Sequence, residues 1–232
     1  MRLLAAIHTD MKFQFRNYLY YAYFIVCMLY VALLYWIPYH WKEETAMFLL
    51  FTDCSFLGSF FIGGIVLLEK EQGIYDHLFV TPLKISEVLW SKVISLGVLS
   101  VVSGLFIFLL SFGFSLKIIP LAIGIALNSV FASLLGLIFT VRVKSINEYL
   151  MISPLFATVF FLPVLEVMHF YESPLFSLIP GKAGLLLMEG AFHPLSSADW
   201  LYAICMFCVY IYLAYRLAYR AFYQHIILNI GG

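Results

Sequence analysis

Residues 95–140 read SLGVLSVVSGLFIFLLSFGFSLKIIPLAIGIALNSVFASLLGLIFT. Two long apolar runs, 95–114 and 118–140, meet at a short link around Ser115, Lys117 and Pro120. A helix needs about 20 mostly apolar residues to cross a bilayer. Both runs meet that length, and both are continuous rather than alternating. Continuous runs select helices over barrel strands, because only a helix satisfies its own backbone in hydrocarbon. The stretch therefore reads as a tight hairpin of two membrane helices.

The same test applied outward finds four more spans, at 18–38, 46–68, 149–169 and 199–215. The composition agrees. Of 232 residues, 64% are hydrophobic and 11% charged, against about 25% charged in a soluble domain. Mean hydropathy is +0.99. A chain of this length cannot hide so much apolar surface in one water-soluble globule. A soluble enzyme, a disordered regulator and a disulfide scaffold are excluded on that ground. Thirteen Lys and Arg balance thirteen Asp and Glu, and no basic stripe suggests nucleic acid.

The positions of the basic residues set the orientation. With the N-terminus inside, the cytoplasmic segments hold Arg2, Lys12, Arg16, Lys70, Lys84, Lys92, Arg142, Lys144, Arg216 and Arg220. The outer segments hold Lys42, Lys117 and Lys182. Six spans then return the C-terminus to the cytoplasm. The run Leu3–Ile7 is too short for a signal peptide and is followed by Asp10, Lys12 and Arg16, so the first span is expected to be a retained anchor. Cys27, Cys54, Cys205 and Cys208 all fall in spans, and the Cys205–Cys208 pair reads as packing residues rather than a redox or metal site.

Four segments outside the spans are informative, the last being the tail, where Arg216, Arg220 and His225 are expected to end the last helix in the cytoplasm. In residues 1–17, Leu3, Leu4, Ile7, Met11 and Phe15 recur at helical spacing, which predicts an amphipathic interfacial helix. Residues 69–92, EKEQGIYDHLFVTPLKISEVLWSK, form the longest inner loop. Gly73 permits a break, Ile74, Leu78 and Phe79 make a short apolar face, and Pro82 disfavours helical geometry at Thr81. A short helix of that kind suits docking on a soluble partner. Residues 170–198 carry Pro174, Pro180, Gly181, Gly184, Gly190 and Pro194 around an apolar centre too short to cross, which predicts a re-entrant or interfacial outer segment.

The stretch Glu69-Lys70-Glu71-Gln72-Gly73, followed by His77-Leu78-Phe79-Val80-Thr81-Pro82-Leu83 and Ser91-Lys92, resembles the loop signature of type-2 permeases of ATP-binding cassette transporters. Ile74 and Ser91 depart from it, standing where that family usually has Thr and Gly. Asp10-Met11-Lys12 with Arg16 is similar to the family's elbow helix. The resemblance implies an all-α integral membrane protein forming a single permease domain over 1–232. Its parts are six transmembrane helices, an N-terminal amphipathic elbow helix, a cytoplasmic coupling helix in 69–92, and an outer re-entrant segment before the last span. It implies a bacterial plasma-membrane exporter subunit without catalysis of its own. Two cytoplasmic ATPase subunits would bind ATP and Mg, and the permease would pair with a second copy or a paralogue. This chain has no G-x-x-x-x-G-K-[ST] phosphate loop. An ATP-independent channel or scaffold is the competing reading, and the absence of a ring-forming polar or carbonyl-filter sequence weighs against the channel.

The residues expected to couple to the ATPase are Glu69, Glu71, Gly73, Tyr75, Asp76, Leu78, Phe79 and Pro82. Tyr75, Leu78 and Phe79 supply apolar contacts, and Glu69, Glu71 and Asp76 polar ones. The expected substrate pathway is Tyr23, Tyr30, Asp53, Phe56, Phe60, Phe156 and Phe160. Tyr23 and Tyr30 share a helix face, and the Phe pairs stand at i,i+4. Asp53, about two turns into the second span, is an intramembrane acid and on that account a functional candidate. Its cargo is expected to be hydrophobic or amphipathic, a drug, antimicrobial peptide or lipid. Glu166 and His169 stand at i,i+3 near the outer end of the fifth span and are expected to form an outer gate. One Glu-x-x-His without further carboxylates does not make a metal site. Small residues four apart (Ser59 and Gly63, Ser100 and Gly104, Ala132 and Gly136) predict close packing of spans two, three and four.

Overall fold

The computed structural model describes residues 2–75, 83–113 and 118–228. The described residues are helical, with no strand among them. Ten α-helices follow in order: α1 (Arg2–Arg16), α2 (Leu19–Trp36), α3 (Tyr39–Phe56), α4 (Ile62–Glu71), α5 (Ile85–Phe112), α6 (Ile118–Thr140), α7 (Ile146–Phe161), α8 (Val164–Val167), α9 (Pro180–Glu189) and α10 (Ser197–Phe222). A single π-turn, Leu57–Phe61, joins α3 to α4, so they form one rod of 33 residues.

Five rods are long and apolar enough to cross a membrane: α2, α3–α4, α5, α6 and α10. The span read at 149–169 is different. Helix α7 has 16 residues, and Leu162 and Pro163 separate it from the four-residue α8. Sixteen residues reach about 24 Å, short of the roughly 30 Å hydrocarbon layer. Helix α10 runs on to Phe222, past the expected 215, and two other spans start well before their expected beginnings. Helix α5 starts at Ile85 rather than 95, and α3 starts at Tyr39 rather than 46. The polar lead-in of α5 buries Val88, Leu89, Ser91 and Lys92, and that of α3, exposed at Tyr39 and Trp41, is tied in by Lys42 donating to Ser111 O, neither of which hydropathy registers.

Helix α6 lies at the centre and packs against α5, α10, α9 and the α3–α4 rod. Close approach is built from small residues. A Cβ on Gly136 would sit 2.7 Å from the Ser59 carbonyl oxygen, and one on Gly58 would sit 2.8 Å from the Ser129 carbonyl oxygen. Ser100 of α5 and Ser129 of α6 hydrogen-bond at 2.9 Å. The π-turn faces this crossing. A π-turn leaves a backbone carbonyl without its usual partner, and the Tyr149 hydroxyl from α7 donates to Ser59 O at 2.6 Å. By contrast, only 17% of the α2 span and 22% of the α10 span is buried, so these two helices present most of their surface outward.

Helix α1 lies beside the start of α5. Its buried residues are Ala6 and Gln14, with Asp10 between them on the same stripe. Leu4 and Phe15 of the apolar stripe point away from the protein. Tyr18, in the left-handed conformation at φ 60°, turns the chain from α1 into α2. At the other end of the bundle, the ten-residue α9 is about 15 Å long and packs on α6, α3 and α10.

Candidate functional site

Three polar clusters punctuate the apolar bundle. The first lies where α1, α4 and α5 meet. Lys92 Nζ donates to Glu69 Oε1 at 2.6 Å and to Asp10 Oδ1 at 3.1 Å. The Ser91 hydroxyl donates to Asp10 Oδ2 at 2.5 Å, and the Tyr75 hydroxyl to Glu69 Oε2 at 2.6 Å. The Lys92 side chain is 4% exposed and those of Glu69 and Asp10 6% and 12%, so this is a buried charge cluster rather than a surface bridge. Next to it, Gln14 Nε2 donates to Ser95 Oγ at 2.8 Å. Desolvation, with the Glu69 carboxylate as the second cause, pushes the Tyr75 hydroxyl well above its ordinary range. The Tyr75 ring also meets Phe222 of α10 edge-on.

This cluster is the root of the 69–92 loop. Glu69 is in the last turn of α4, Glu71 ends that helix and is exposed, and Gly73 follows in the left-handed conformation at φ 65°. A side chain at that φ would strain the backbone, so Gly is suited to the exit. Glu69 and Tyr75, expected as a polar and an apolar contact to the ATPase, are turned inward here. The charge of Lys92 and the apolar wall at Phe222 are the reason. Asp76, Leu78, Phe79 and Pro82 lie outside the described residues. Lys92 was not among the residues singled out for coupling. Its signal in the sequence was a lone cation at the threshold of an apolar run, which requires a partner.

The second cluster lies within the bundle. Asp53 is 4% exposed, and it accepts a hydrogen bond from the Tyr23 hydroxyl, which is itself buried. Because α3 begins at Tyr39, Asp53 is about four turns from that start, deeper than the two turns read from hydropathy. Tyr30 is half-buried on the same helix as Tyr23. Nearby, the fully buried Asn128 of α6 donates to Ser55 Oγ at 2.8 Å and to Cys54 Sγ at 2.9 Å. Phe60, Phe156 and Phe160 lie apart from Asp53. They converge between the π-turn, α6 and α7 around a crevice of only about 10 Å³. The Phe156 ring stacks on Phe139 at 4.4 Å, and Phe160 stacks on Phe51 at 5.3 Å. The Phe56 side chain lies outside the described residues. The structure thus brings together Tyr23 with Asp53, and separately Phe60 with Phe156 and Phe160, in a closed arrangement.

The third cluster is a cup of about 770 Å³ at the opposite end of the bundle from Lys92. Glu43, Glu44, Glu166, Glu172 and Glu189 line it, with His40, His169, His193 and Lys182. Glu166 and His169 engage different partners. Lys182 of α9 donates to both Glu166 oxygens, at 2.7 and 2.9 Å. His169 Nε2 lies 3.7 Å from Glu44 Oε1, and His193 Nε2 lies 3.7 Å from Glu43 Oε2. The cup therefore ties α3 to the α8–α9 region by side-chain pairs. Among the described residues, no group of three or more His, Cys, Asp or Glu is arranged to hold a metal ion. Glu43, Glu44 and His193 escaped the sequence reading because the adjacent Glu43 and Glu44 stand far in the chain from the histidines they meet through the fold.

Comparison with known proteins covers nearly the whole chain. Residues 1–230 match the model of the fluoroquinolones export permease protein family. Two curated relatives, the fluoroquinolones export permease proteins of Mycobacterium tuberculosis strains CDC 1551 and H37Rv, are each 26% identical over 201 residues. That alignment spans 86% of this chain and 84% of each relative. The permease resemblance first carried by Glu69–Lys92 thus extends over an entire apolar, multi-helix chain, and the protein belongs to the fluoroquinolones export permease protein family.

Proposed function

We propose that this permease is the membrane subunit of an ATP-driven exporter and that it moves an aromatic, amphipathic drug outward. Hydrolysis takes place in a separate cytoplasmic ATPase, present in two copies, which holds the ATP and Mg. The permease works beside a second copy of itself or a paralogue. The whole chain, 1–232, acts as one domain with both termini in the cytoplasm of a bacterial cell. Its six spans are α2, α3–α4, α5, α6, α7–α8 and α10, with α1 as elbow, 69–92 as coupling loop and 170–198 as the outer re-entrant segment.

One observation carries this reading. The buried Asp10–Lys92–Glu69–Tyr75 cluster connects the elbow, the inner end of span two, the start of α5 and the first residues of the loop. A push on the loop reaches three helices through it, and one of them bears Asp53. Motion driven by ATP requires the two conformations to differ in their contacts; the crevice at Phe60, Phe156 and Phe160, only about 10 Å³ in this structure, is where the second conformation would widen. An amine-bearing drug is suited to a route passing Asp53 and leaving through an acidic cup. The relatives' printed names support a drug of the fluoroquinolone class.

The test is expression in a drug-sensitive bacterium with and without the neighbouring ATPase. The pair lowers fluoroquinolone accumulation and either chain alone does not. Replacing Leu78 and Phe79 with Ala lowers ATPase co-purification or uncouples its activity. Vectorial transport by this chain alone, in vesicles without an ATPase, overturns the proposal in favour of an ATP-independent channel.

A further inference from the structure

We infer that the cytoplasmic end of α10, together with the first turn of α5, forms a binding site for the phosphate headgroup of an anionic phospholipid. A cavity of about 720 Å³ opens there. Arg216 and Arg220 line it at i,i+4, which puts both guanidinium groups on one face of the helix. Tyr215, Tyr219 and Tyr223 surround them, and Ser86 of α5 supplies the opposite wall. Among the described residues, no carboxylate lies within ion-pair distance of either guanidinium. Both arginines are exposed. The buried basic residue at this end, Lys92, is fully occupied by Asp10 and Glu69, whereas among the described residues these two cations have no carboxylate partner.

Three features select a lipid phosphate over other anions. The first is depth. Arg216 and Arg220 follow directly on the apolar part of α10, and Trp90 stacks on Tyr215 at 5.4 Å beside the cavity. Trp and Tyr collect at the level of the headgroups. The second is chemistry. A guanidinium fork matches a phosphodiester with two parallel hydrogen bonds, and α5 starts at this wall with its positive helix end. The carboxylate in that first turn, Glu87, is held back on the Lys84 backbone N–H at 2.8 Å. The third is access. Most of α10 faces outward, and exposed Leu217 continues the apolar surface along which an acyl chain lies. The assignment is independent of the export reading, because it needs only that the end of α10 and the start of α5 share one face of the membrane.

The experiment leaves Trp90 as the single tryptophan by replacing Trp36, Trp41 and Trp200 with Phe. The full chain is reconstituted in phosphatidylcholine vesicles doped with brominated phosphatidylglycerol or brominated phosphatidylcholine. The anionic lipid quenches Trp90 selectively, and R216Q/R220Q lowers that selectivity by more than about tenfold, since each cation near an anionic surface contributes about fivefold. R142Q, at the same end of the bundle, leaves it unchanged. If the triple Trp variant does not fold, native mass spectrometry of the unaltered protein reads the same preference as retained phosphatidylglycerol. Equal quenching by the two lipids overturns the assignment. So does selectivity that survives R216Q/R220Q. Competition by millimolar inorganic phosphate makes the ligand a free anion and also overturns it. Loss of ATPase co-purification in the double variant, with lipid selectivity intact, gives the face to a protein partner instead.

Discussion

Replacing Lys92 with Met tests the charge cluster most directly. Exposed ion pairs contribute about 0–1 kcal/mol, whereas removing one partner from a buried pair costs about 3–5 kcal/mol. Lys92 belongs to the second class, because its side chain is 4% exposed and its two carboxylates are 6% and 12% exposed. In K92M the methionine fills nearly the same volume, so the loss comes from two carboxylates left facing each other out of water. In a chain of this size each kcal/mol moves the midpoint about 2–4 °C, so the apparent Tm in detergent falls by about 6–20 °C. The triple variant K92M/D10N/E69Q provides the internal control. It removes all three charges, while the amide oxygens still accept from Ser91 and Tyr75, and it recovers most of the lost Tm. The measurement is thermal unfolding followed by tryptophan fluorescence and by aggregation-sensitive size exclusion. A Tm for K92M within about 2 °C of wild type refutes the buried-cluster reasoning, and so does a triple variant less stable than K92M.

Asp53→Asn keeps an acceptor for the Tyr23 hydroxyl, so stability is preserved while the drug profile of the complete transporter shifts; resistance and accumulation equal to wild type for every fluoroquinolone tested would reduce Asp53 to a packing residue. Gly136→Ala places a Cβ 2.7 Å from the Ser59 carbonyl and destabilises by about 1–3 kcal/mol, whereas Gly64→Ala meets nothing within 4 Å and is neutral or mildly stabilising; equal unfolding midpoints for the two variants contradict the close α4–α6 crossing. Tyr75 keeps its proton in the folded protein at a pH where the unfolded chain, with a pKa near 10, has lost it. Its contribution is therefore complete below about pH 10 and is lost as pH rises further, because the folded state then binds more protons. Tyr75→Phe makes the decline of Tm above pH 10 shallower, and an unchanged slope contradicts the buried Tyr75–Glu69 bond.

The membrane-spanning character of this chain was legible in its residues because hydrocarbon imposes a length rule. About 20 apolar residues in a row have one stable arrangement there, and 95–140 contains two such runs. Gly73 as the exit from α4 was legible too, since left-handed backbone suits few other residues. The loop motif at 69–92 pointed to the family that the match over residues 1–230 establishes. Helix ends were less legible. Residues 39–45 and 85–94 are polar enough to look like lead-ins, yet they are helical, the second stretch with Leu89, Ser91 and Lys92 buried in the bundle. The interruption at Leu162–Pro163 has a local cause in Pro163, which has no N–H to continue the helix, although hydropathy runs on through it.

Partnership was what the tertiary structure alone decided. Lys92 meets Asp10 across 82 positions and Glu69 across 23, and Tyr23 meets Asp53 across 30. Composition and periodicity describe one helix at a time, so they identify which face is apolar and which residue is charged. Whether a buried charge is neutralised, and by whom, depends on the angles and depths at which separate helices cross. Those are set by close contacts such as Gly136 on Ser59, where a single methyl group changes the spacing. The amino-acid order thus determined that this protein lives in a bilayer, whereas helix packing determined which of its few charges act together.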